Sequence, residues 1–202
     1  MYRIEKNLSG VTEIEKSRFI CYLSRVFSES EARAYIETIR KQHADATHVC
    51  YAFICGEHDQ IQRSNDAGEP SGSAGVPILE CLKKQQMSDT IAIVVRYFGG
   101  IKLGLGGLIR AYGGCVSDTL DKAVLTRKVK AYRYRITFNY DLIGKLDYYL
   151  NQHDIEILDK DYDEKVTYII QSEENPEDDL REISSGTLEQ TLVNEIIIEK
   201  RK

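Results

Sequence analysis

Ile91-Ala92-Ile93-Val94-Val95-Arg96-Tyr97-Phe98-Gly99-Gly100-Ile101-Lys102-Leu103-Gly104 is the stretch from which the rest of the chain can be read. Five apolar residues, mostly β-branched, predict a strand covered on both faces. The strand then runs into an arginine, two aromatics and a glycine-rich turn. Burying an unpaired charge costs several kcal/mol, so Arg96 needs an anionic partner, either a carboxylate of this chain or a ligand.

A second polar segment lies just upstream: Arg63-Ser64-Asn65-Asp66-Ala67-Gly68-Glu69-Pro70-Ser71-Gly72-Ser73-Ala74-Gly75. Asp66, Glu69, Ser71 and Ser73 sit there in a loop rich in glycine, where a rigid scaffold can position functional groups. Asp66 or Glu69 could form an acid/base or anion-handling group with Arg96, or could simply neutralise it. Together the two loops define one expected polar groove, between residues 65–75 and 96–107, with His48, Asp66, Glu69, Ser71, Ser73 and Arg96 as its candidate residues. His48 and Cys50, two apart on an expected strand, share a face. They are a conceivable dyad, but no C-x-x-C or H-E-x-x-H pattern completes a metal site. No metal or cofactor is expected.

The glycine loop follows a strand and opens a helix, a geometry that can offer backbone N–H groups to an anion. Gly99, Gly100, Lys102, Gly104, Gly106 and Gly107 are the candidate anion-binding residues. The loop is neither a P-loop nor a dinucleotide fingerprint, since Ile109 stands where the third glycine belongs. A plain strand-to-helix turn that needs positive φ explains the glycines equally well.

Outward from this centre, the expected elements follow in order. Ser17 to Val26 reads as a strand. Ser28 and Glu31 form a capping box before a helix with Ala32, Tyr35, Ile36 and Ile39 on one face. Thr47 to Cys55 and Gln60 to Ser64 read as a hairpin around a turn at 56–59. Helices are expected over about 73–86 and 106–124, the second carrying the stripe Leu108, Ile109, Tyr112, Val116 and Leu120. Gly113 and Gly114 inside it cost ~1 kcal/mol each against alanine and suggest close approach to another element. Val129 to Tyr140 is a strand, Asp141 a helix cap, and Ile155/Ile157 with Val166/Tyr168/Ile170 a hairpin with a tip at 160–165. Pro176 opens a helix at its first position and Gly186 ends it. Leu192 to Glu199 is a last strand. This β-α-β-β-α-β order is the ferredoxin-like split unit.

Charge divides the chain near residue 127. Residues 1–127 carry 16 Lys/Arg against 15 Asp/Glu, and residues 128–202 carry 11 against 17, so +1 and −6 sum to the net −5. Two domains are therefore expected, 1–127 and 128–202. The acidic second half is a poor nucleic-acid surface, so such contact should come from the first half, with Lys16, Arg18, Arg63, Lys102 and Arg110 as candidates. No run of eighteen apolar residues predicts a membrane span, and Met1 to Lys6 lacks the apolar core of a signal peptide. Five cysteines without a paired pattern suggest reduced thiols in the cytoplasm.

The two loops together resemble the signature of the YigZ/IMPACT family. The match comprises Asp66, Gly68-Glu69-Pro70-Ser71-Gly72, Ala74-Gly75-Val76-Pro77, Arg96-Tyr97-Phe98-Gly99-Gly100 and Leu103-Gly104. It extends upstream through Lys16-Ser17-Arg18-Phe19 and Ala46-Thr47-His48-Val49-Cys50-Tyr51. The commonest family form has Thr at Ser73, a swap that keeps the hydroxyl. The resemblance implies an α+β fold. Its first domain would be similar to domain IV of elongation factor G, and its second to that factor's ferredoxin-like domain V. It also implies a link to translation, through RNA, the ribosome or a ribosome-associated protein. Eukaryotic relatives compete for an activator of a stress-responsive kinase through an additional domain not found in these residues, so that partner does not carry over. An enzyme acting on a phosphorylated or otherwise anionic small molecule is the alternative. The residues name no catalytic group and no oligomeric state.

Overall fold

A computed structural model describes all 202 residues, as two compact units. The first comprises Met1–Arg127 with Arg201–Lys202, and the second Lys128–Lys200. The strands are β1 (Tyr2–Ile4), β2 (Leu8–Ile14), β3 (Ser17–Arg25), β4 (His48–Cys55), β5 (Ile61–Asn65), β6 (Thr90–Tyr97), β7 (Leu125–Phe138), β8 (Glu156–Tyr162), β9 (Val166–Ser172) and β10 (Glu189–Arg201). The helices are α1 (Glu29–Gln42), α2 (Gly75–Lys84), α3 (Gly104–Leu120), α4 (Ile143–Gln152) and α5 (Glu177–Ile183).

In the first unit an antiparallel sheet runs β2-β3-β6-β4-β5. β6 is its centre, and its alternation feeds two cores. Ile91, Ile93 and Val95 pack with Ala32, Ile36 and Ile39 of α1. Ala92 and Val94 pack on the other face with Ile78 and Leu82 of α2 and Leu108, Ala111, Tyr112 and Val116 of α3. Burial on both faces is why β6 reads as a continuous apolar run. Arg96 falls on the α2/α3 side, directly between Phe19 of β3 and His48 of β4 in register.

The second unit is ferredoxin-like, with β8 and β7 flanking β9 antiparallel and β10 on the other edge of β7. Tyr134, Ile136 and Phe138 of β7 and Val166, Tyr168 and Ile170 of β9 form a core with Leu146 and Leu150 of α4 and Leu180 of α5. The α+β class and the β-α-β-β-α-β order are thus as the sequence predicts.

Several boundaries differ. β1 and β2 were not expected, and β7 begins four residues early because Leu125–Arg127 pair antiparallel with Tyr2–Ile4. α2 begins at Gly75 rather than Ser73, because Ser73 is turned into a loop in which its N–H and hydroxyl both donate to the Pro70 carbonyl. α3 begins at Gly104, two residues early, and ends at Leu120, four early. Asp141 lies in a single 3-10 turn, Tyr140–Leu142, and caps nothing. Pro176 precedes α5 instead of opening it. Ser28 caps α1 as expected, its hydroxyl accepting from Glu31 N–H at 3.2 Å. Glu31 returns its carboxylate one residue further out, to Phe27 N–H.

Of the two helix glycines, Gly113 lies beside α2, where a Cβ would stand 3.7 Å from the Pro77 carbonyl oxygen. Gly114 faces open space.

Candidate functional site

The loop after β5 opens with a tight turn. Glu69 N–H donates to the Asp66 carbonyl at 3.0 Å, while Ala67 (φ 46°) and Gly68 (φ 89°) occupy the left-handed region. Two consecutive positive φ values make this a type I′ turn, which suits Gly68 and strains Ala67 mildly. The turn sends its two carboxylates in different directions.

Asp66 takes the backbone. Its Oδ1 accepts from Ala74 N–H at 3.0 Å and Gly75 N–H at 2.8 Å, and its Oδ2 from Gly72 N–H at 2.8 Å. It thereby supplies the negative charge that the N-terminus of α2 favours. Desolvation pushes this carboxyl up, but the three N–H donors together outweigh it and hold the pKa below the ordinary aspartate value.

Glu69 turns inward to Arg96. Arg96 Nη1 donates to Glu69 Oε1 at 2.6 Å, with the two side chains 6% and 3% exposed. The Tyr112 hydroxyl donates to the same oxygen at 2.7 Å. The Arg96 guanidinium also lies 5.4 Å from the ring centres of both Phe19 and Phe98, within cation–π range. Its Nε is buried and makes no hydrogen bond.

His48 and Cys50 flank this pair. His48 Nδ1 lies 2.9 Å from the Ala67 carbonyl oxygen. A carbonyl only accepts, so Nδ1 carries the proton. Nε2 then faces Glu69 Oε1 at 3.9 Å. Cys50 Sγ lies 3.0 Å from the Asp66 carbonyl oxygen and 3.4 Å from the Tyr112 hydroxyl. Burial pushes this thiol up to about 12, which favours the protonated form at neutral pH. His48 and Cys50 thus share a face, each bonded to other partners: His48 to the Ala67 carbonyl, Cys50 to the Asp66 carbonyl and the Tyr112 hydroxyl.

The structure thus brings Glu69, Arg96 and His48 together and gives Asp66 and Ser73 to the loop's own backbone. Ser71 is exposed. Tyr112 is the member that sequence reading placed only in an apolar stripe. Its hydroxyl was the available signal, since a buried phenol must find a partner.

The glycine loop is positioned by a different neighbour. Gly99 lies flat on the β2–β3 turn: a Cβ there would come within 2.0 Å of the Lys16 carbonyl carbon. Gly99 N–H donates to Ser17 Oγ at 3.1 Å, and Phe98 N–H to Thr47 Oγ1 at 3.0 Å. Gly100 and Gly104 have positive φ, 88° and 68°. Gly106 and Gly107 fall in the first turn of α3, which no side chain caps. Lys16 and Lys102 are exposed beside this loop and belong to no ion pair, and Arg110 folds back towards Gly106.

The other two expected cations stand apart. Arg63 reaches Glu29 at 3.9 Å. Arg18 pairs in register with Tyr97, so it projects from the α1 face of the sheet, opposite to Phe98.

Fold and cluster define a two-unit α+β protein: a five-stranded sheet covered by helices on both faces, with a buried Glu–Arg–Tyr cluster, followed by a ferredoxin-like unit. Residues 15–120 match the family model of the Impact N-terminal domain, and residues 136–187 match that of a domain of unknown function, DUF1949. The chain is 51% identical over 166 residues to the IMPACT family member YvyE of Bacillus subtilis, covering 80% of this chain and 76% of that one. It is 40% identical over 154 residues to the IMPACT family member YigZ of Escherichia coli, covering 75% and 76%. A crystal structure described as that of a hypothetical protein superposes with a TM-score of 0.61 at 32% identity, over 96% of this chain and 97% of that one. The chain belongs to the IMPACT family. No helix is long and apolar enough to cross a membrane.

Proposed function

We propose that this protein is a translation-linked binding module that contacts RNA through the glycine-loop end of its first unit. One observation carries the reading: Gly99 seated on the backbone of Lys16. That contact sets the β2–β3 turn and the loop before α3 side by side, each with an exposed, unpaired lysine. Between Tyr97 and Ser117 the chain has two cations, Lys102 and Arg110, and no carboxylate. The uncapped first turn of α3 adds backbone donors suited to phosphate. With a first half near neutral overall, attraction comes from this local patch and not from bulk charge.

The test is sedimentation with ribosomes and binding to RNA at low and rising salt. Association should weaken linearly on a log–log plot, by about 0.7 per phosphate neutralised on a single strand. Lys16→Gln with Lys102→Gln should flatten the slope. No association at low salt would overturn the reading.

His48 favours a second reading, an enzyme or receptor for an anionic small molecule. Its side chain is 21% exposed, with Nε2 3.9 Å from Glu69. It lines an open cleft of about 400 Å³ together with Arg40, His43 and Thr47. Titrating inorganic phosphate while following the His48 ring resonances tests it. Unmoved resonances at millimolar phosphate would remove it.

A further inference from the structure

We infer that Phe98 is a stacking platform for an unpaired base, so that the RNA bound here is single-stranded; this rests on the RNA reading above. Phe98 follows directly on β6, in which Thr90 to Arg96 are buried and Tyr97 half-buried, yet it is 46% exposed. Here it is held in place from behind. The Arg96 guanidinium lies 5.4 Å from its ring centre, and Glu69 fixes that guanidinium in turn at 2.6 Å. The backbone on either side of the ring is pinned by the Thr47 and Ser17 hydroxyls. The ring therefore loses little freedom on binding, which is what a recognition aromatic needs.

The surroundings select the occupant. Ile101, 39% exposed, lies further along the same loop, and Leu105, 56% exposed, in the first turn of α3. Lys16 and Lys102 border that loop without ion-pair partners. An apolar ring edged by free cations, with no carboxylate from residue 97 to 117, complements a polyanion that also presents flat apolar faces. A single strand does this at every nucleotide, because each base has a stacking face next to a phosphate. A duplex does not, because its bases are stacked on one another and only groove edges and phosphates face outward. The sharing of work follows: Phe98 supplies affinity that salt does not screen, and the lysines supply the salt-dependent part.

The experiment uses the full-length protein and a short RNA carrying 2-aminopurine, free and annealed to its complement. Wild type should bind the single strand more tightly than the duplex and quench the 2-aminopurine. Phe98→Leu should weaken single-strand binding at least about fivefold with the salt slope unchanged, and Phe98→Tyr should restore it. Lys102→Gln should flatten the slope and leave the quenching amplitude at saturation intact. The platform is overturned if Phe98→Leu binds as wild type does, if the probe is not quenched on binding, or if the duplex binds equally well. A mononucleotide competing as well as the strand would also overturn it, in favour of a small-molecule site. In each of these cases RNA or nucleotide binding survives while the platform assignment fails. If the wild type binds no RNA and captures only protein, both readings fall.

Discussion

Arg96 and Glu69 form an ion pair of 2.6 Å inside the first unit, and Tyr112 closes it from α3 by donating to the same carboxylate oxygen. A buried pair of this kind is weak support for stability when compared with apolar residues, but breaking it leaves a charge without a partner. Arg96→Met should therefore cost ~3–5 kcal/mol. Tyr112→Phe should cost about 1.5–3 kcal/mol, the range for a bond to a charged acceptor. Glu69→Leu with Arg96→Met should lose less than the two single changes summed. Urea unfolding of the four variants measures this. Strict additivity would show that the two residues do not act as a pair.

Gly99 and Gly114 should respond oppositely to alanine. At Gly99 the new methyl would collide with backbone, the Lys16 carbonyl, which has no side-chain freedom to yield. Gly99→Ala should destabilise by at least ~1–3 kcal/mol and separate the glycine loop from the β2–β3 turn. At Gly114, inside α3, a Cβ meets nothing within 4 Å. Gly114→Ala should stabilise by up to ~1 kcal/mol. Thermal unfolding of both variants decides, and equal effects of the same sign would contradict the packing described.

Asp66 predicts an acid limb of the stability curve. Its folded pKa lies below the ordinary value of 3.8, so folding binds fewer protons than unfolding as that value is approached. The stabilisation is complete above the unfolded pKa and is lost as pH falls through the folded one, that is, below about pH 4. Asp66→Asn removes the charge but keeps one acceptor oxygen. It should lower stability at neutral pH and flatten the decline between about pH 5 and about pH 3. A decline unchanged by the substitution would assign the acid sensitivity to other carboxylates.

Residues 128–200 should fold alone. Tyr134, Phe138, Leu146, Leu150, Tyr168, Ile170 and Leu180 close a core within that segment. The expressed fragment should unfold in one cooperative transition. The last two residues are left out because Arg201 pairs with Glu5 at 2.8 Å and Lys202 N–H donates to the Leu125 carbonyl at 2.9 Å, both within the first unit. A gradual, non-cooperative melt would argue against an independent unit.

Periodicity alone carried much of the fold. The run Ile91–Val95 marked a strand buried on both faces, Ser28 and Glu31 marked the start of α1, and the alternation from Val129 onward spelled the ferredoxin-like order. These are local signals, because the side-chain period of a strand or helix is a property of a few successive residues. The need of Arg96 for an anion was legible too, since desolvation cost depends only on burial and charge. Which carboxylate answers it was not. Asp66 and Glu69 lie three residues apart, and the choice rests on a turn through Ala67 and Gly68 that aims one at the amides of α2 and the other at β6. The seat of Gly99 on Lys16, the hydroxyl of Tyr112 on Glu69 and the pairing of β1 with the start of β7 were equally hidden. Each joins residues far apart in the chain, and several polar groups of similar chemistry compete for every such partner. Only the packed sheet and helices bring one of them within hydrogen-bond distance and leave the rest to solvent or to their own backbone.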